Sequence, residues 1–336
     1  MGEVCFVTSM FGYQHSISDP SFSNQIIVFT SPHIGNVGVN DFDFERKNPS
    51  CKGVVAKSIS EGFHSSCSMS LEYWLNDNNI VCIEGIDTRA LTHHLRMHGS
   101  QPGVIVPLSE KDRTYEELEN HLGPYDPGLD LSRISSNMKD YHINKVSNPK
   151  YKVVIIDFGV RSGISQCLSD LGCEVKIVSY TDSILNDIYN LKPDGVLISN
   201  GPGDPRNVTC IDQIRALVYS GIPVFGICLG HQLIAHAVGA RISKMTTGHR
   251  GVNHPVRNLE TGGVEITSQN HGFVVEDLPE NVTKTHISLF DGTLEGMRFR
   301  DYPVFCVQYH PESRPGPNDS KYLFDQFLDL IEERKV

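Results

Sequence analysis

Gly226-Ile-Cys-Leu-Gly230 sets one thiol between two glycines, directly after an apolar run and directly before a helical pattern. Glycines at such a junction permit a tight, strained turn that a Cβ would obstruct. The turn lifts Cys228 out of a sheet and holds it at a helix N-terminus, where the dipole favours the thiolate, the reactive form. It also leaves the backbone N–H of Leu229 facing an oxyanion that develops on an attacked carbonyl. The chemistry implied is acyl transfer to sulfur. For the pentapeptide alone, an inert buried cysteine beside packing glycines is the other reading.

A thiolate nucleophile needs a base to hold its proton and hand it to the leaving amine. His310-Pro-Glu312 follows the apolar run 303–307, read as a late strand. Side chains two apart in extended chain point the same way, and Pro311 stiffens the spacing. Glu312 can then orient His310 as a carboxylate does in a catalytic triad. Judged alone, His310 is one of fifteen histidines beside a turn. Asn200-Gly-Pro-Gly-Asp-Pro205 ends a predicted parallel strand, the edge at which ligands bind in open α/β sheets. Gly201 there can complete an oxyanion hole. The Lys-Ser/Thr of a phosphate loop is missing, and a plain turn fits the hexapeptide equally well.

The elements that must position these groups are legible. Residues 152–157 form a continuous apolar run, which suits a strand buried on both faces. Ile164, Cys167, Leu168 and Leu171 recur at helical spacing, and Gly172 stops the helix. Strands follow at 174–178, 195–199 and 222–227. Between them Val208, Ile211, Ile214, Leu217 and Val218 mark a helix; another runs from Gln232 to Gly239, and an amphipathic helix closes the chain over 320–333. Alternation at this pitch implies a parallel sheet flanked by helices. The first ~120 residues show a helix through Leu71, Trp74 and Leu75, and one capped at Asp87 or Thr88 that ends at Gly99. The remainder reads as short strands and turns, hence a smaller α+β N-terminal domain. Gly-Pro, Asp-Pro-Gly and Ser-Asn-Pro over 123–150 read as a linker, so the domains are 1–145, with the linker, and 150–336.

Composition bounds the class. The net charge of −11 offers no basic block for nucleic acid. Nine cysteines without a Cys-x-x-Cys pair read as reduced thiols in a reducing compartment. No secretory signal is seen, and no run approaches the about 18 apolar residues of a membrane span. A cytoplasmic enzyme is expected.

Taken together, the three motifs, with Gly-Ile-Cys-Leu-Gly-His-Gln at 226–232, resemble the class I (triad) glutamine amidotransferases. That family's fold is a mostly parallel sheet flanked by helices. Gly2-Glu-Val, Thr8-Ser-Met, Gly12-Tyr-Gln14, Asp19-Pro-Ser21 and the run 32–38 resemble the leader domain of carbamoyl-phosphate synthetase small subunits. So do Ile86-Asp-Thr-Arg89 and Gln269-Asn-His-Gly-Phe273. The resemblance implies that Cys228 forms a glutamyl thioester, with His310 and Glu312 as base and orienter and Gly201 and Leu229 at the oxyanion. It implies that Ser21, Gly203, Gln232, Asn270, Gly272 and Phe273 hold L-glutamine. It also implies no cofactor in this subunit, and a large synthetase subunit that carries ATP and divalent metal and receives the ammonia through a tunnel.

The chain departs from the family at two places. It begins where family members already have a short preceding segment, so edge strands of the first domain are expected to be missing unless the start site differs. Val160, Arg161, Ser162 and Gly163 stand where the family has Ala-Lys-x-Asn; Arg161 keeps the charge without the point-like ammonium, and Gly163 is expected to loosen a helix start. The competing functions are an amidotransferase of another pathway, which would lack the leader, and a catalytically silent subunit. His94 and His98, spaced four apart on a helix, would suit a metal but have no carboxylate or cysteine nearby, and read as a solvated face.

Overall fold

The least legible part of the sequence folds around a five-stranded sheet. The computed structural model describes residues 1–122, 126–136, 141–143 and 146–335. It divides into two units, Met1–Leu129 and Asp130–Val336. In the first, the order along the chain is β1 (Gly2–Val7), α1 (Tyr13–Ser18), β2 (Gln25–Phe29), β3 (Gly53–Val55) and α2 (Leu71–Asp77). Then come β4 (Val81–Ile83), α3 (Thr88–His98), β5 (Gln101–Gly103) and α4 (Tyr115–Leu122). The sheet order is β4-β3-β2-β1-β5, parallel except for β5. Alternate residues of β2 feed opposite cores: Ile27 and Phe29 one, Ile26 and Val28 the other. Both expected helices are present, with Asp87 capping α3 by accepting from the Ala90 N–H at 3.0 Å. His94 and His98 lie exposed on α3, their rings 4.6 Å apart.

The second unit is built on α5 (Leu131–Ser135), β6 (Tyr141–Ile143), β7 (Tyr151–Asp157), α6 (Ser162–Asp170), β8 (Cys173–Ser179), α7 (Ile184–Leu191), β9 (Gly195–Ile198) and α8 (Ile211–Val218). It continues through β10 (Val224–Ile227), α9 (Leu229–Ala237), β11 (Arg241–Asn258), β12 (Val264–Glu276), β13 (Val282–Ser288), β14 (Leu294–Phe299), β15 (Val304–Val307) and α10 (Tyr322–Lys335). The sheet order is β12-β11-β13-β14-β15-β10-β9-β7-β8-β6. Its centre, β15-β10-β9-β7-β8, is parallel, as the strand–helix alternation requires. Val154 and Ile156 of β7 enter the core under α7, α8 and α9, whereas Val153 and Ile155 enter that under α6 and α10. Phe225 is fully buried between Phe305, at 4.4 Å between ring centroids, and the α10 rings of Phe324 and Phe327. Cutting such an aromatic to alanine costs about 3–5 kcal/mol.

Several features were not read in the sequence, among them the helices α1 and α4 of the first unit, where only short strands and turns were expected. Another is α7, missed although Ile184, Leu185, Ile188 and Leu191 recur there at helical spacing. A further one is the antiparallel wing β11–β14. Its long β11–β12 hairpin shifts register between Lys244 and His249 and again between Gly251 and His254, which breaks the two-residue alternation. Of the expected linker, the described residues include α5 and β6, the latter antiparallel to β8. Among the described residues no helix is long and apolar enough to cross a membrane.

Candidate active site

Cys228 follows β10 directly and precedes the first residue of α9, three positions earlier than the helix start read from the sequence. Its φ of 54° and ψ of −102° are a strained backbone for a residue bearing a Cβ. The surroundings hold it there: its N–H donates to Val307 O at 2.9 Å, and its carbonyl accepts from Gln232 N at 3.2 Å. The strain thus falls on Cys228 itself, and the flanking glycines answer a need for space. A Cβ on Gly230 would lie 2.1 Å from Ile198 O, and one on Gly226 2.9 Å from Cys306 Cβ.

His310 and Glu312 follow β15 and meet as expected, but through a turn, not extended chain: the Ser313 N–H donates to His310 O at 3.1 Å. His310 Nδ1 is 2.8 Å from Glu312 Oε1, and the backbone N–H of His310 donates to Ser268 O at 2.9 Å. Arg161 Nη1 donates to the same Glu312 oxygen at 2.7 Å. Burial, and after it the Arg161 charge, work against the charge on His310, but the Glu312 carboxylate, helped by Cys228, outweighs them and raises the imidazole to about 10. Burial likewise opposes the Glu312 charge, yet His310 and Arg161 hold it down at about 2. At neutral pH the pair is imidazolium and carboxylate. The other ring nitrogen, Nε2, is buried and engaged in no geometrically formed hydrogen bond.

The loop bearing Arg161 is pinned from both sides. Asp157 Oδ1 accepts from the N–H groups of Gly159 and Val160 at 2.9 and 2.8 Å. Asn200 accepts from Arg161 N at 3.1 Å and donates to Gly159 O at 2.9 Å. Next to Asn200, Gly201 packs so closely that a Cβ would lie 2.3 Å from Phe158 O and 2.9 Å from Leu229 Cδ2. Gly201 and Leu229, expected together at an oxyanion, are therefore neighbours, and the Leu229 N–H opens α9, where no intrahelical acceptor exists. Gly203 turns the loop with a φ of +93°.

Asn270, Gly272 and Phe273 lie on β12, reached from α9 by Gln232, whose Nε2 donates to Phe273 O at 3.0 Å. Cys228 Sγ donates to the Asn270 carbonyl at 3.6 Å. Arg206, paired with Asp204 at 2.9 Å, lies 5.6 Å over the Phe273 ring and ties the Asn200–Pro205 loop to this strand. Ser21 belongs to the first unit, in the turn Pro20–Phe22, where its N–H donates to Asp19 Oδ1 at 2.9 Å.

Behind β12, His249, His271 and Glu295 bring three potential metal-ligand atoms within 4.8 Å of one another. Most of their polar atoms are already engaged with protein groups. His249 Nδ1 is 3.4 Å from Glu295 Oε1 and its Nε2 3.0 Å from Asp291 Oδ2, while Gln269 donates to Glu295 Oε2 at 2.9 Å. Burial opposes the charge on His249, but Glu295 and Asp291 prevail and raise it.

A glutamine amidotransferase class-I family model matches residues 154–330, and one for the carbamoyl-phosphate synthase small chain, CPSase domain, matches residues 1–105. The chain is 42% identical over 358 residues to the carbamoyl phosphate synthase small chain of Bradyrhizobium diazoefficiens, covering 100% of this chain and 90% of that one. The chain belongs to the carbamoyl-phosphate synthase small chain family. The small chain of Streptococcus agalactiae is 43% identical, over 99% of this chain and 92% of that one. A solved glutamine amidotransferase from Thermotoga maritima is more distant: 18% identity, TM-score 0.40, 55% of this chain and 85% of that chain. As a glutamine-hydrolysing small chain, the protein has both parts that its sequence resembled, the leader and the amidotransferase domain.

Two residues in contact with these groups escaped sequence reasoning. Arg161 was noted for its retained charge, but its target, Glu312, lies 151 positions away. Gln308, whose Nε2 is 3.7 Å from Cys228 Sγ, was missed; it lies just past the end of β15, outside any strand period.

Proposed function

We propose that Cys228 is the nucleophile of glutamine hydrolysis, with His310 as acid and base and Glu312 as the residue that orients it. The single observation behind this reading is the strained Cys228 elbow beside a buried imidazolium–carboxylate pair. The sulfur, as thiolate, adds to the side-chain amide carbon of L-glutamine. The carbonyl oxygen takes up negative charge before the N–H groups of Leu229 and Gly201. Collapse breaks the C–N bond as His310 gives its proton to nitrogen, releasing ammonia and leaving a thioester. Neutral His310 then takes a proton from water, the hydroxide adds to the thioester, and the C–S bond breaks. Glutamic acid leaves, and the thiolate and imidazolium are restored.

In this reading Gly203, Gln232, Asn270, Gly272 and Phe273 hold the remainder of glutamine, and Ser21 is assigned on its match to the family motif alone. The ammonia passes through a tunnel to a large synthetase subunit, which makes carbamoyl phosphate from bicarbonate and two ATP in the cytoplasm for pyrimidine and arginine synthesis. Enclosed transfer has a physical motive, since ammonia protonated in bulk water is no nucleophile. ATP and divalent metal belong to that partner. Glutamate release from glutamine by wild type and Cys228→Ser, each with and without the large subunit, tests the whole. Loss in the variant and a rise with the partner are expected; no release from wild type with the partner bound would leave a silent, structural subunit.

A further inference from the structure

Two buried amides link the carbonyl of Phe273 to the sulfur of Cys228. Gln232 Nε2 donates to Phe273 O at 3.0 Å and to Gln308 Oε1 at 3.0 Å. Gln308 Nε2 then donates to Cys228 Sγ at 3.7 Å. Gln232 and Gln308 are 3% and 0% exposed.

The direction of this chain is fixed at its far end. Phe273 O accepts only, so Gln232 must turn its NH2 toward it, and the second hydrogen of that NH2 falls to Gln308. Gln308 is then obliged to turn its oxygen toward Gln232 and its NH2 toward the sulfur. Flipping either amide sets two acceptors or two donors face to face in a buried site, where such a mismatch is costly. The thiol form also donates to Asn270 O at 3.6 Å, a bond that ends when the proton leaves. The Gln308 donor, in contrast, strengthens as the sulfur becomes negative.

We infer that Gln308 is a further catalytic residue of glutamine hydrolysis, a hydrogen-bond donor that stabilises the Cys228 thiolate and is held in the donating orientation by Gln232. The inference rests on Cys228 being the nucleophile. It assigns Gln232 a second duty, that of positioning residue for Gln308.

The test is the pH profile of Cys228 alkylation by iodoacetamide in the full-length chain, read by mass on the Cys228 peptide. In Gln308→Leu, of similar size, the profile is expected to move alkaline by about one pH unit, with the neutral-pH rate falling about tenfold. Lost packing alone would change the rate by the same factor at every pH without moving the midpoint. Gln308→Glu keeps the length and the acceptor for Gln232 but turns an oxygen to the sulfur. It is expected to shift the profile at least as far, and serves where the leucine variant does not fold. An unmoved midpoint in the folded variants overturns the inference. Glutamine hydrolysis that survives Cys228→Ser overturns the nucleophile assignment instead, whatever the alkylation profile shows.

Discussion

Arg161 Nη1 stands 2.7 Å from Glu312 Oε1, and the two side chains are 3% and 0% exposed. The same oxygen faces His310 Nδ1, so one carboxylate atom collects both cations. Breaking a buried pair from one side costs about 3–5 kcal/mol, because the remaining charge is stranded. Arg161→Met is therefore expected to lower unfolding stability by that order and the kcat of glutamine hydrolysis by about tenfold or more. Arg161→Lys should recover most of both, since the charge returns without the fork. Denaturant titration and steady-state kinetics check this; a methionine variant with native stability and kcat would refute the role of the pair.

The same pair sets a pH window. Glu312 is held below its ordinary value, so its contribution to stability is complete above about 4.5 and is lost as pH falls toward about 2. His310 is held above its ordinary value, so its contribution is complete below about 6.5 and is lost as pH rises toward about 10. Stability from this pair is maximal between those limits. Unfolding free energies of wild type and His310→Asn, compared across pH 6 to 10, should converge as pH rises; a constant difference would contradict the assignment.

Gly163 makes room for the triad. A Cβ there would lie 3.1 Å from Glu312 Cγ and 2.9 Å from Arg314 Cδ. Gly163→Asn, the residue that the sequence resemblance leads one to expect there, should push Glu312 off His310. The kcat of hydrolysis should fall severalfold with little change in KM, and a rise in kcat would show that the loop accommodates the side chain.

His249 supplies the counter-charge to Glu295, which is wholly buried. Removing it in His249→Leu leaves a carboxylate whose burial already raises its pKa. Because the cluster backs β12, which bears Asn270, Gly272 and Phe273, the expected effect is mainly a higher KM for glutamine, together with about 3 kcal/mol of stability. Kinetics at saturating and limiting glutamine separate the two, and an unchanged KM would count against the supporting role.

What could be read in the sequence was local. Apolar runs such as 152–157 announced the parallel strands because both faces of β7 are buried. The Cys228 turn and the His310–Glu312 step were legible because each is encoded within a few residues. The wing was not, since Gly248 and Gly251 and the register shifts of β11 disrupt any period. Neither was the partnership of Arg161 with Glu312, or of His249 with Glu295, which only the folded sheet brings together. Gln308 was hidden for a related reason: it lies past the end of β15, where the chain bends and then turns at 310–313, so no strand period marks it.

The sheet that carries this site is made of two kinds of fabric. Cys228 rises from β10, which has parallel neighbours on both sides, while Asn270, Gly272 and Phe273 ride on β12, the outermost strand, paired with β11 alone. Sequence drift therefore has unequal consequences in the two halves. A change near β10 strikes a position held by strands and helices all around it, and silences turnover. A changed side chain on the rim alters how firmly the amino acid is gripped, whereas the backbone of β12, whose Ser268 and Asn270 carbonyls meet the His310 N–H and the Cys228 thiol, moors that rim to the centre.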